Sequence, residues 1–102
     1  MDTPELSLKQ KLHSETALMP WRELQRFFAK GVVIVVDSSL DLVATAMMFA
    51  EDRANDLLPH TDSGAVAAPT NDQARNWYLS DVDLWSVVVA PYVLVQEQQD
   101  DL

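Results

Sequence analysis

The chain of 102 residues contains no cysteine. Disulfides, zinc–thiolate sites and thiol catalysis are therefore excluded, and the absence suits a reducing cytosol. Glycine is nearly missing too: Gly31 and Gly64 are the only two. Neither a G-x-G-x-x-G dinucleotide turn nor a P-loop can be built from them. Histidine is confined to His13 and His60, with no pair four residues apart and no H-E-x-x-H, so the usual imidazole metal site is excluded. Basic residues are scarce. Seven Lys and Arg face sixteen Asp and Glu, for a net charge of −9, and residues 51–102 hold only Arg53 and Arg75 against ten acidic groups. Such a surface repels phosphate backbones, so no nucleic-acid partner is expected; Arg22, Arg26 and Lys30 form the one basic exception. Long apolar runs are also absent. The stretches 32–36 and 87–95 fall far short of the roughly 20 residues that span a bilayer, and residues 1–20 are too polar for a signal peptide. A cytoplasmic protein with no membrane partner is the expectation.

What is present reads as one domain over residues 1–102, with residues 1–5 and 97–102 fraying. A first helix spans 6–18, with Leu8 and Leu12 on one stripe. Pro20 suits the first turn of a second helix, whose apolar face is Trp21, Leu24, Phe27 and Phe28 and whose end is Lys30 and Gly31. "VVIVVD" (32–37) has no polar face, as expected of a strand covered on both sides. "DSSLD" then caps a helix from 40 to 54, extending towards 58, that is apolar nearly all round. Pro59 and "HTDSG" break the chain, and "AVAA" (65–68) reads as a short strand. "TNDQ" (70–73) is a capping box for a helix over 71–80 that buries Ala74, Trp77 and Tyr78. "LWSVVVAPYVLV" (84–95) reads as one buried strand. The order ααβα(β)αβ indicates an α/β (or α+β) fold, a small two- to three-stranded sheet packed with about four helices.

Proline cannot donate to a sheet ladder, so Pro91 needs either a bulge or a place where the strand outruns its neighbour, and the second is favoured. With 32–36 and 87–95 adjacent at the sheet centre, "YVLVQ" (92–96) then projects as an apolar edge. That makes Tyr92 and Leu94 candidate interface residues and a second copy the expected cover.

Little points to catalysis. Ser38 and Ser39 sit at a strand-to-helix turn, but without a G-x-S-x-G elbow or a histidine partner; no catalytic residue, metal ligand or cofactor is assigned. Asp37 and Asp41 either cap the following helix or form an acidic site at the end of the first strand. Trp21, Trp77 and Trp85 either pack the core or line that site. Two functions fit. One is a non-enzymatic interaction module, a homodimer or an acidic face for a basic protein. The other is a small-molecule or cation-binding protein, an enzyme included, with an acidic, tryptophan-lined pocket formed by those five residues. An acidic mimic of nucleic acid is a third, weaker fit.

The stretches "ETALMPWRELQRFFAKGVVIVVDSSLDLVATAMMFAEDRA", "DQARNW" and "WSVVVAPYVLVQ" resemble the DUF2288 family, small bacterial proteins of unknown function, over about residues 13–96. Where that family has a longer polar stretch with an additional tryptophan, this chain has "NDLLPHTDSG". The resemblance implies a bacterial, cytoplasmic protein and supplies no activity, catalytic residue or cofactor.

Overall fold

The structure is a computed structural model and describes residues 4–99. It is an α+β fold in which helices cover both faces of a five-stranded mixed sheet. In chain order the elements are α1 (Pro4–Glu15), β1 (Ala17–Pro20), α2 (Trp21–Ala29), β2 (Val33–Val36), α3 (Leu42–Ala50), α4 (Ala54–Ser63), β3 (Val66–Ala67), α5 (Asn71–Leu79), β4 (Asp83–Val89) and β5 (Tyr92–Gln96). The described residues thus hold five strands and five helices, not the two or three strands and about four helices expected.

Each extra element has a local cause. The first helix was expected to reach residue 18, but it stops at Glu15. Thr16 closes it, donating its amide to the His13 carbonyl and its hydroxyl to that of Leu12. Pro20 disfavours helical backbone at Met19, so 17–20 extends into β1. Pro20 itself is the N-cap of α2 rather than part of its first turn. The helix expected over 40–54 ends at Ala50 because Asp52 takes a left-handed conformation (φ 54°), which aspartate tolerates better than most residues. Pro59 was expected to break the chain. It lies inside α4, a fully surface helix that ends at left-handed Gly64. The Thr70–Gln73 capping box forms as the sequence predicts.

The sheet order is β1-β4-β5-β2-β3, and only β2 and β5 run parallel. The stretch 84–95 is not one strand. It is the hairpin of β4 and β5, with Pro91 in the two-residue turn, after a cis Ala90–Pro91 bond. Pro91 therefore stands outside the ladder altogether. Residues 93–95 do pair with 33–35, so the two apolar segments are neighbours as expected. The projecting "YVLVQ" edge does not exist, because β5 is hydrogen-bonded to β4 on one side and to β2 on the other. It is β4 that outruns a neighbour: β1 pairs only as far as Ser86.

Both faces of β2 and β5 are covered, which is why their sequences lack a polar side. On one face Trp21, Leu24 and Trp77 from α2 and α5 pack on Val33, Leu84, Val93 and Val95. On the other, Leu12, Leu42, Ala46 and Met47 from α1 and α3 pack on Val36, Val87 and Leu94. Leu94, expected at an interface, is 0% exposed in this second cluster. Tyr92 is 36% exposed and meets Phe49 of α3 edge-on, with ring centroids 5.6 Å apart. Tyr78, expected in the core, lies at the surface with Arg22 stacked 4.6 Å from its ring centroid. No helix among the described residues is long and apolar enough to cross a membrane.

Candidate functional site

Parallel strands end together, and the carboxyl ends of β2 and β5 open a crevice where open α/β sheets commonly take ligands. After Val36 the chain turns at Asp37. Its amide donates to the Ala65 carbonyl at 2.8 Å, while its carboxylate accepts from the Ser39 amide at 3.0 Å and the Ser39 hydroxyl at 2.5 Å. The hydroxyl first, and then the amide, hold the Asp37 carboxyl below the usual aspartate range. Asp41 is used differently: its Oδ1 accepts from the Ala44 amide at 3.0 Å and caps α3.

After β5 the chain crosses this end of the sheet as a strap of glutamines. Gln96 Nε2 donates to the carbonyls of Asp37 (2.9 Å) and Leu40 (2.8 Å). Gln98 Nε2 reaches the Asp83 carbonyl at 3.1 Å, and Gln99 Nε2 reaches that of Ser38 at 3.2 Å. Gln98 and Gln99, in the tail expected to fray, thus make hydrogen bonds across this end of the sheet, and 100–102 lie outside the described residues.

Between the strap, the end of β2 and the start of α5 lies a cleft of about 590 Å³. Its apolar side is Val35, Val36 and the alanines around β3; its polar side includes Asp37, Ser38, Thr70, Gln73 and the strap residues 97–99. Among the described residues no Lys, Arg or His lines it, while Asp37 and Glu97 bring two carboxylates. Asp37 Oδ1, the Glu97 carboxylate and the side-chain oxygens of Gln98 and Gln99 have no partner among the described residues; the Gln73 amide nitrogen and the second N–H of Gln98 and of Gln99 are unengaged as well. Among the described residues no group of three or more His, Cys, Asp or Glu is placed to hold a metal ion.

The five residues expected to share one pocket do not. Asp37 lines the crevice; Asp41 is a cap outside its lining. Trp21 and Trp77 meet edge-on in the core with centroids 4.9 Å apart. Trp21 is wholly buried and its indole N–H has no partner among the described residues. Trp85 lies beyond the strap, 39% exposed, beside a hollow walled by residues 96–99. Thr70, Gln73, Glu97, Gln98 and Gln99 were not expected here. The only sequence signal for the last three was a polar run, two glutamines after a glutamate, directly after a strand.

In a comparison with solved structures, the chain is similar to PA1075 from Pseudomonas aeruginosa, whose NMR solution structure superposes with a TM-score of 0.80 at 38% identity, over 98% of this chain and 93% of that one. No curated protein matches. The family model of DUF2288, a protein of unknown function, matches residues 7–97. The chain therefore belongs to the DUF2288 family, whose function is unknown.

Proposed function

We propose that this protein is a binding module without covalent chemistry, and that the crevice at the carboxyl ends of β2 and β5 seats a small organic cation rich in N–H donors. The observation that carries this is the charge of the lining: two carboxylates, Asp37 and Glu97, with no basic side chain among the described residues. A donor-bearing cation supplies the opposite charge and donates to the free carboxylate and amide oxygens. The cleft volume lies within the range of roughly 300–1,000 Å³ typical of small-molecule sites. Asp37 supports the binding reading. A carboxylate held below its usual range is a weak base, poorly suited to activating the Ser39 hydroxyl that it accepts from.

NMR titration of the ¹⁵N-labelled chain with agmatine, which carries an ammonium and a guanidinium, tests the proposal. At about 1 mM, where a site worth roughly 4 kcal/mol is half filled, shifts are expected at Ser38, Ala65, Thr70 and 97–99. Tetramethylammonium, a cation without donors, should leave them in place. Asp37→Asn and Glu97→Gln should each weaken agmatine at least tenfold, and Glu23→Gln, outside the lining, should not. Silence at those residues up to about 10 mM agmatine, a level that half-fills a site worth under 3 kcal/mol, overturns the proposal.

A second reading, association with another protein, is favoured by one observation. Leu18 and Trp85, opposite each other across β1 and β4, are 42% and 39% exposed.

A further inference from the structure

We infer that two copies of the chain join through their β1 edges, antiparallel about a two-fold axis at Leu18. This rests on the second reading above and names its partner. The register comes from one hydrogen bond. The Trp21 amide donates to the Val82 carbonyl at 2.9 Å, continuing the pairing of Ala17 with Ser86 and Met19 with Leu84. In an antiparallel ladder, alternate residues face the same neighbour. Residues 17, 19 and 21 thus face β4, and the backbone N–H and C=O of Leu18 face outwards.

The flanking outward positions offer no donor. Pro20 has no N–H, and the Thr16 amide is already given to the His13 carbonyl at 3.3 Å. Leu18 therefore carries the one free donor of this edge among the described residues. Around a two-fold axis, Leu18 faces its own copy, and the two exchange both N–H···O=C bonds as a closely bonded pair. On either side, Pro20 of one copy faces Thr16 of the other; neither has a donor to give, so the pairing is confined to the exchange at Leu18.

Side chains and charge agree with the backbone. Leu18 and Trp85 stand on the same face, so the axis gathers two leucines and two tryptophans into one exposed-to-buried cluster. A net charge of −9 opposes self-association elsewhere, but residues 16–21 and 84–96 contain no charged side chain. The opposite edge, β3, has only two residues and no comparable length.

Sedimentation equilibrium of the full chain is the test. The weight-average mass is expected to rise from one chain towards two between about 10 µM and about 500 µM, as a weak interface of two hydrogen bonds and one small cluster implies. Over the same range the Leu18 amide should gain at least tenfold protection from hydrogen exchange. Leu18→Lys should abolish both effects with an unchanged circular dichroism spectrum, since its side chain is already partly exposed. Leu79→Lys, on a strongly exposed position of α5, should change neither. A mass of one chain at every concentration overturns self-pairing. It spares the wider association reading only if the Leu18 and Trp85 signals of labelled chain shift in concentrated native lysate. A dimer that survives Leu18→Lys overturns the β1 edge as its site. Agmatine binding is independent of all these outcomes.

Discussion

Replacing Leu94 by alanine separates a core residue from an interface residue. Leu94 sits on the middle strand, wholly buried, in contact with the cluster formed by Val36, Val87, Ala46 and Met47. The substitution removes three carbon groups, worth about 2.4 kcal/mol at roughly 0.8 kcal/mol each. The remaining void adds a cavity term, because β5 is fixed by hydrogen bonds on both flanks and cannot move inward to fill it. The expected total is about 3–5 kcal/mol. A domain of this length has roughly 5–15 kcal/mol of stability, so at least about a fifth is lost, with a fall in Tm of roughly 12–25 °C. Urea unfolding followed by tryptophan fluorescence and by circular dichroism gives the number, with both probes coinciding and the slope unchanged. A loss below about 1 kcal/mol would refute the reasoning, since no well-packed central leucine is that cheap to truncate.

Two other perturbations test the end of the sheet. The Asp37 carboxyl is held low by Ser39, so its folded value lies below its unfolded one; its contribution to stability is complete at neutral pH and is lost as pH falls below about 4 and through the folded value. Ser39→Ala should move the Asp37 midpoint upwards in an NMR titration, and an unmoved midpoint would show that Ser39 does not set it. Gln96→Ala frees two backbone carbonyls, one of them part-buried, and should destabilise by about 1–3 kcal/mol in urea, whereas Gln98→Ala, whose bond is exposed, should stay within about 0.5 kcal/mol. Equal effects from the two would mean that the strap is not anchored at Gln96.

The helix faces were legible because their signals are local. Trp21, Leu24, Phe27 and Phe28 repeat at helical spacing, and Thr70 with Gln73 spells its own cap. The covered strand 33–36 was legible for the same reason, having no polar residue on either face. The sheet was not, because pairing is set by tertiary partners. Nothing in "ALMP" separates a frayed helix end from an edge strand until Ser86 and Trp85 stand beside it. Pro91 was read as a bulge or an overhanging edge inside one strand, and only the pairing of Val89 with Tyr92 shows that it stands in a turn instead. At the candidate site, the caution attached to Asp41 was warranted, since its carboxylate serves as the cap of α3. Gln96, Gln98 and Gln99 read as a polar tail because side-chain amides show nothing of their carbonyl partners, which lie up to 61 positions away.

The middle strand of the sheet is also the last strand to leave the ribosome. Until residues 92–96 emerge, the nascent chain can hold only two separate ladders, β1 with β4 and β2 with β3, each with an open flank where β5 will lie. Those flanks are Val87 with its neighbours on one side and Val33, Ile34 and Val35 on the other, the most apolar backbone in the molecule. A chain cut short before Tyr92 would leave both exposed at once, each able to pair with a strand of a neighbouring chain.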